Sequence, residues 1–162
     1  AFLRQPELNL AGVGDYIGEG DEFCQEVLSS FVTFFDFVEL GFDDAMRKFL
    51  AGFRLPGEAQ KIDRIMHAFA AQFHAYNPGM FRDPETAYPL AYSVIMLNTD
   101  AHNPAIKQHR KMTKEQFVKN NKGLDSGHDL DREFLERIYD RIVANEIVVQ
   151  TDVKNDGSSD RS

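Results

Sequence analysis

The segment from Phe53 to Arg64 places an acidic residue at a stiff corner of the chain. Pro56-Gly57 predicts a turn, and the residues after it have helical periodicity, so Glu58 projects from the start of a helix. An acid in a first helical turn commonly does no more than stabilise the helix dipole, by about 0.3–1 kcal/mol. These residues alone leave open whether Glu58 is functional or only stabilises its helix.

The segment from Leu90 to Pro104 changes abruptly from apolar to polar. Its first half predicts a helix that is apolar almost all round and therefore central and buried. Its second half carries short polar side chains that could cap helix ends and hold a loop, or line the rim of a groove. These polar residues are Asn98, Thr99, Asp100 and Asn103, and the floor of the groove would consist of Tyr92, Ile95 and Met96.

The chain contains five histidines, but their spacing argues against a metal site. His67 and His74 are seven residues apart on one predicted helix, and no HExxH or similarly dense ligand pattern occurs. The acids from Asp125 to Glu136 resemble those of a calcium-binding loop, but Leu130 occupies the position where glycine makes the sharp turn. Helix capping explains the same acids. We therefore expect no bound metal.

Composition narrows the classes of function. With 162 residues, 43% of them hydrophobic, the chain can form one packed domain. The net charge of -8 opposes a nucleic-acid-binding surface, and the sequence contains no P-loop, GxGxxG or GxSxG motif. The single cysteine, Cys24, is expected to be a buried thiol. Because there is neither a signal peptide nor an apolar run of about 20 residues, we expect a cytosolic setting.

Helical periodicity predicts an all-α fold. The expected N-cap residues are Asn9, Asp43 and Thr113, the last in a capping box with Gln116, and a longer helical segment is expected to begin at Asp21. The residues expected to face the core are Val13, Tyr16, Ile17, Phe23, Val27, Leu28, Phe31, Ala45, Met46, Phe49, Leu50, Ile62, Met66, Phe69, Phe73, Phe117, Val118, Leu130, Phe134, Leu135, Ile138, Tyr139, Ile142 and Val143. We assign residues 1–150 to one domain and expect residues 151–162 to form a disordered polar tail.

The two segments described first together resemble the paired signature of the Sec7 domain, the catalytic domain of guanine-nucleotide exchange factors for Arf GTPases. They occur in the order and at the separation typical of that family. Val13-Gly14-Asp15-Tyr16, Phe49–Gly52 and Met112–Gly123 are also similar to the family, and most similar to its large, Golgi-type members. The resemblance implies a right-handed superhelix of short helices whose hydrophobic groove receives the switch regions of the GTPase.

The resemblance also implies roles for individual residues. Glu58 would act as a glutamic finger that displaces Mg²⁺ and repels the phosphate of GDP, so that exchange is catalysed without covalent chemistry. The expected partner-binding residues are Phe53, Gln60, Ile62, Asp63, Tyr88, Tyr92, Ile95, Met96, Thr99, Asp100 and Asn103. As in members that are sensitive to the inhibitor brefeldin, the expected inhibitor-binding residues are Tyr92, Ser93, Asp100 and Met112.

The implied partner is an Arf-family GTPase in its GDP-bound and nucleotide-free forms. No cofactor is expected, because Mg²⁺ and the guanine nucleotide belong to the GTPase. The parent protein would be cytoplasmic and recruited to Golgi or endosomal membranes for vesicle trafficking, with only indirect membrane contact. The alternative function is a non-catalytic helical adaptor that binds an Arf GTPase through the same groove. A calcium-sensing module is a third candidate, opposed by Leu130.

Two features depart from the family. Its first two helices are missing or reduced to Ala1–Arg4, which predicts an exposed apolar seam. Pro89 stands where a helix-compatible residue is usual, and in a helix interior it would cost about 3 kcal/mol. The predicted helix therefore begins after Pro84 or after Pro89.

Overall fold

The computed structural model describes residues 10–149, with side chains from residue 12 onward. Within these residues the chain forms seven α-helices and no β-strand, which confirms the predicted all-α class. The helices are α1 (Leu10–Ile17), α2 (Glu22–Val32), α3 (Phe42–Leu50), α4 (Ala59–Tyr76), α5 (Ala87–His102), α6 (Lys114–Asn120) and α7 (Arg132–Ala144), with a short 3-10 helix at Gln108–Arg110. In this part of the chain, none of the helices has the length and hydropathy needed to cross a lipid bilayer.

The two longest helices, α4 and α5, pack against each other at the centre of the fold. α1 and α2 pack on α4, whereas α7 packs on α5 and also contacts α3 and α6. Asn98, buried in α5, ties the segment after α7 to this centre, because its amide donates to the Ile147 carbonyl at 2.9 Å and accepts from the Ile147 N–H at 2.8 Å. The second half of the chain is thereby anchored to α5.

Phenylalanine rings fill the core between α2, α3 and α4. Most of their pairs meet edge to face, the geometry that aromatic quadrupoles favour. Phe42 meets Phe73 at 5.0 Å between ring centroids and 77° between ring planes, and Phe35 meets Phe49 at 5.0 Å and 71°. These rings support the segment between α3 and α4, which contains Glu58.

The predicted helix starts are confirmed in two described cases and wrong in a third. Asp21 caps α2 by accepting a hydrogen bond from the Cys24 N–H at 2.9 Å, and Thr113 forms the predicted capping box with Gln116. Asp43 is not an N-cap: α3 begins at Phe42, two residues earlier than predicted, with Gly41 as its N-cap. Asp43 instead lies buried in the first turn, because its carboxylate pairs with Arg141 at 3.2 Å. Asn9 lies outside the described residues.

The start of α5 agrees with the first of its two predicted positions, after Pro84, whereas its other end extends farther than expected. The helix starts at Ala87, which makes Pro89 its third residue. The first N–H groups of a helix have no partner within it, so a proline there removes no hydrogen bond and carries no interior penalty. At the other end the helix continues to His102, so Asn98, Thr99 and Asp100 are helical residues and not part of a loop.

Helical periodicity overestimates burial at four positions. Tyr16, Phe23 and Val143 were expected in the core, but all three are exposed, Phe23 by 64%. Met96 on the central helix is 62% exposed. A periodic pattern identifies the apolar side of a helix, but the width of the covered strip depends on which neighbours pack there. Cys24, by contrast, is buried as expected. Ala1–Arg4 and residues 151–162 lie outside the described residues.

Candidate functional site

Glu58 is the N-cap residue of α4. Its backbone is extended, with φ -83° and ψ 129°, and its carbonyl accepts the Ile62 N–H at 3.0 Å. The side chain is exposed and makes no capping hydrogen bond. The carboxylate therefore does not close the end of its own helix, although an acid there still favours the helix dipole. It is available to a partner molecule.

The turn that carries Glu58 is anchored from below by apolar side chains. Phe53, Leu55 and Pro56 are all buried, whereas Gly57 and Glu58 are exposed. On one side the turn touches α1 so closely that a Cβ added to Gly14 would overlap the carbonyl oxygen of Arg54. The exposed acid is therefore presented by a turn whose preceding residues are buried in the core.

The cation nearest in sequence to Glu58 is already paired with other acids. Lys61 Nζ lies 2.9 Å from Glu19 and 3.6 Å from Asp15. The hydrogen bond that Lys61 donates to Glu19 raises the pKa of Lys61, and the charges of Glu19, Asp15 and Glu58 add to this effect. Among the described residues, no ion pair includes Glu58 itself. Lys61 therefore balances the acids of α1 and its following turn while the Glu58 carboxylate remains exposed.

A groove runs beside the Glu58 turn along the outer face of α5, with the first half of α4 on one side and Met112 and the end of α6 on the other. It has two adjoining cavities of about 460 Å³ and 520 Å³. Tyr88 and Tyr92 line both cavities. The first is completed by Ala59, Gln60 and Asp63, and the second by Pro89, Ser93, Met96, Met112, Asn120, Asn121 and Leu124. The second cavity is mainly apolar and contains two flexible methionines, which suits an adaptable contact surface.

Three side chains meet where α4 crosses the start of α5. The Tyr88 hydroxyl donates a hydrogen bond to Asp63 Oδ1, and Asp63 Oδ2 lies 3.8 Å from His67 Nε2. The rings of His67 and Tyr88 stack face to face, with centroids 3.6 Å apart and planes inclined by 6°. Burial, together with the hydrogen bond and negative charge of Asp63, raises the pKa of the Tyr88 hydroxyl, so Tyr88 stays protonated. The contact of His67 with Tyr88 was not predicted from sequence; its only signal was its position one turn after Asp63.

The polar residues at the end of α5 are used largely within the chain. Asp100 Oδ2 accepts the Met112 N–H at 2.6 Å, and Asn103 Oδ1 accepts the Ala105 N–H at 2.9 Å. Lys111, which was not predicted as a site residue, donates from Nζ to the carbonyls of Asp100, Ala101 and Asn103, each at 3.0 Å. These bonds satisfy the free carbonyls of the helix end and hold Met112 against the groove.

The structure brings most of the predicted site residues together. Gln60, Asp63, Tyr88, Tyr92, Ser93, Met96 and Met112 line the two cavities, Ile62 and Ile95 are half-buried beside the core, and Thr99 is exposed. Asp100 and Asn103 shape the end of the groove through the bonds described above. Phe53 is different. It is 0% exposed within the aromatic core, so the structure does not support a direct contact with a partner, and its position is that of an anchor beneath the turn.

Other candidate chemistry lies elsewhere in the fold. In residues 10–149 no three His, Cys, Asp or Glu side chains are grouped so that they could hold a metal ion. Asp125, the first acid of the calcium-like segment, instead accepts hydrogen bonds from the backbone of Arg82 and Asp83 and from the Thr86 hydroxyl. A larger cavity of about 610 Å³ lies between α6 and α7, but it contains none of the predicted site residues.

Comparisons with known proteins agree with this geometry. The family model of the Sec7 domain matches residues 1–147. Brefeldin A-inhibited guanine nucleotide-exchange protein 1 of Arabidopsis thaliana is 54% identical over 153 residues, which cover 94% of this chain and 9% of that protein. The crystal structure of the Sec7p catalytic domain superposes with a TM-score of 0.82 at 50% identity, covering 89% of this chain and 75% of that one. A structure of ARF1-GDP bound to a Sec7 domain complexed with brefeldin A matches with a TM-score of 0.80 at 38% identity, covering 91% and 73%.

This fold is that of a Sec7 domain. The chain belongs to the Sec7 domain family, and the predicted all-α superhelix is confirmed by its solved relatives. The chain spans 7% to 15% of the length of the curated relatives that it matches. It therefore corresponds to one domain of those much longer proteins.

Proposed function

We propose that this chain catalyses the release of GDP from an Arf-family GTPase. The observation that carries the proposal is the exposed Glu58 carboxylate, which is held on a turn at one end of an apolar groove and makes no capping bond. Relatives that are named as guanine nucleotide-exchange proteins and the ARF1-bound Sec7 domain support the choice of partner.

The proposed mechanism is electrostatic. In a GTPase, the phosphates of GDP are held by Mg²⁺ and by a lysine of the phosphate loop. A carboxylate placed in that site repels the phosphate, competes for the lysine and occupies the place of the metal. At a separation of about 4 Å and an effective dielectric of about 20, two like charges repel by ~4 kcal/mol. That energy corresponds to about a thousandfold in rate. Glu58 forms and breaks no covalent bond in this scheme.

Binding in the groove must supply the energy that brings Glu58 to the nucleotide. Tyr88, Tyr92 and Met96 offer apolar surface for a mobile segment of the GTPase, and Gln60 and Thr99 are exposed polar groups beside it. Mg²⁺ and the nucleotide belong to the GTPase, so this chain requires no cofactor. The partner would be bound first with GDP and then in its nucleotide-free form.

Release of labelled GDP from an Arf GTPase tests this mechanism. We expect Glu58→Lys to lower the exchange rate at least a hundredfold while the GTPase still binds, because the reversed charge attracts phosphate. Glu26→Lys makes the same charge change at an exposed position of α2 and should exchange like the wild type. If Glu58→Lys released GDP at the wild-type rate, the role proposed for Glu58 would be wrong.

The adaptor function predicts a different result in the same assay. An adaptor would bind the GTPase through the groove, yet GDP release would be no faster with the wild-type chain than without it. In that case Glu58→Lys and the wild type would give the same slow release. Binding without acceleration would therefore replace the exchange proposal with the adaptor.

Brefeldin sensitivity is a separate part of the proposal. Tyr92, Ser93 and Met112 line one cavity, and Asp100 holds the Met112 backbone beside it. We expect brefeldin to slow exchange by trapping the complex with the GDP-bound GTPase. The assay is exchange at increasing brefeldin concentration, and an unchanged rate would remove this part alone.

The last part of the proposal concerns location. The parent protein would be recruited from the cytoplasm to Golgi or endosomal membranes, with a role in vesicle trafficking.

A further inference from the structure

His67 packs against the groove residue Tyr88, and the electrostatic mechanism does not use it. It lies on the exposed side of α4, two turns beyond Glu58, and its ring covers one face of the Tyr88 ring. The edge of Tyr88 meets Tyr92 at 5.2 Å between centroids and 78° between planes. Tyr88 lines both cavities of the groove. A contact that fixes the Tyr88 ring therefore also fixes the wall that the two cavities share.

Stacking, and not ion pairing, is the dominant contact of His67. Its Nε2 is 3.8 Å from Asp63 Oδ2, and the two side chains are 53% and 46% exposed, conditions under which an ion pair contributes little. The ring planes, by contrast, are nearly parallel and lie at contact distance. Asp63 acts mainly on the other part of Tyr88, by accepting its hydroxyl proton in a hydrogen bond.

We propose that His67 is a positioning residue that holds Tyr88 in the shape that the GTPase recognises. Two contacts fix Tyr88 from different directions: Asp63 holds its hydroxyl, and His67 covers its face. A side chain ordered before binding loses less conformational freedom when the partner arrives, so the gain appears in affinity. Without the His67 ring, Tyr88 keeps its hydroxyl bond but can swing about it. This inference rests on the proposed exchange function, and it concerns recognition of the GTPase and not the repulsion step.

Exchange kinetics at varied GTPase concentration test the proposal. His67→Ala should raise KM for the GDP-loaded Arf GTPase by roughly threefold to tenfold and leave kcat within about twofold, because Glu58 is untouched. His67→Phe keeps a flat ring without the ring nitrogens and should restore KM to nearly the wild-type value. His128→Ala, the same change at an exposed residue outside the groove, is the control. A KM of His67→Ala equal to that of His128→Ala, or no rescue by His67→Phe, would overturn the proposal.

A second measurement does not depend on exchange. In the free protein with ¹³C-labelled tyrosine, the Tyr88 ring resonance, assigned by its loss in Tyr88→Phe, should shift in His67→Ala and not in His128→Ala, because a stacked ring at 3.6 Å shields it. An unshifted resonance would show that His67 does not position Tyr88. If the wild-type chain catalyses no exchange, the proposed function fails. In that case the Tyr88 resonance still shows whether His67 positions Tyr88. The affinity of the same variants for the GTPase, measured directly, then replaces KM as the measure of recognition.

Discussion

Glu58 occupies the N-cap position of α4, but its side chain does not cap the helix. An acid at an N-cap usually turns its side chain back to bond a backbone N–H, and this bond stabilises the helix. Here the side chain makes no such bond and is exposed. Glutamate is one methylene longer than the aspartate that caps α2, so it is less suited to capping and reaches farther from the turn. The residue type therefore favours reach over local stability.

The length of the acid leads to the first prediction. Glu58→Asp keeps the charge but withdraws it by about 1.5 Å, which weakens a repulsion at about 4 Å by ~1 kcal/mol. We expect exchange to fall roughly five- to tenfold, between the wild type and Glu58→Lys. The measurement is kcat/KM for GDP release, with Glu26→Asp as the matched change on α2. If Glu58→Asp were as slow as Glu58→Lys, charge would not be the property that matters.

At the scale of elements, α1 acts as a brace for the Glu58 turn. Three glycines of α1 and the turn after it allow close approach to the Glu58 turn and α4: Gly14 at Arg54, Gly18 at Lys61 and Gly20 at Arg64. Arg64 Nη1 secures the contact by donating to the Gly18 carbonyl at 2.9 Å. The contacts join parts of the chain that are about forty residues apart in sequence. The position of Glu58 thus depends on a helix that contains no groove residue.

The brace leads to the second prediction. The methyl group of Gly14→Ala would overlap the Arg54 carbonyl oxygen and lie 3.3 Å from Pro56 Cδ. A backbone oxygen cannot move away by changing rotamer, so the turn or α1 must shift. We expect exchange to fall at least tenfold, with helical circular dichroism unchanged, because a displacement of about 1 Å at a catalytic group can cost that much.

The control for the brace is Gly79→Ala. An added methyl group at Gly79 meets nothing within 4 Å, so this variant should keep wild-type exchange. Equal activity of Gly14→Ala and Gly79→Ala would show that the turn is not held by α1.

At the scale of the whole molecule, Asp125 joins two loops that are distant in sequence. Its carboxylate is buried and accepts hydrogen bonds from the Arg82 N–H at 2.9 Å, the Asp83 N–H at 3.2 Å and the Thr86 hydroxyl at 2.9 Å. Burial alone would raise the pKa of Asp125, but these hydrogen bonds and the nearby Arg82 charge outweigh it and lower the pKa. The carboxylate thereby holds the segment that leads into α5, and with it the start of the groove.

The lowered pKa leads to the third prediction. A group whose pKa is lower in the folded state stabilises the fold above its ordinary pKa, and this contribution is lost as the pH falls through the folded-state pKa. At neutral pH, Asp125→Asn should lower the free energy of unfolding by about 3 kcal/mol, since hydrogen bonds to a charged acceptor are lost. The difference in unfolding free energy between Asp125→Asn and the wild type should shrink as the pH falls below 3.8, the ordinary pKa of an aspartate side chain.

Urea unfolding across a pH series measures this difference. Asp131→Asn is the matched control, because Asp131 is exposed and makes no capping bond through its side chain. A loss of stability in Asp125→Asn that stays constant down to the lowest pH would rule out the carboxylate as its source.

The helices and most of the core were predictable because their signals are local. Apolar spacing identified the buried faces of α4 and α7 and the start of α2, and the capping box placed the start of α6. The predictions failed at positions where residues distant in sequence determine the helix start or the burial of a side chain. Asp43 lies inside α3 because Arg141 of α7 pairs with it, and Phe23 is exposed because its side of α2 is left uncovered. Neither neighbour relation can be inferred from spacing along one helix.

The candidate site, like the fold, could be predicted from the sequence only in part. The sequence by itself determined that Glu58 follows a turn and starts a helix, and that Tyr92, Ser93 and Met96 share a helix with polar residues at its end, because turns and helical spacing involve only a few adjacent residues. Only the tertiary structure decided that Phe53 lies beneath the turn, that Gly14 braces it and that His67 covers Tyr88. The physical reason is that these contacts depend on how α1, α4 and α5 pack. That packing is set by the summed burial of the whole core and not by any local pattern.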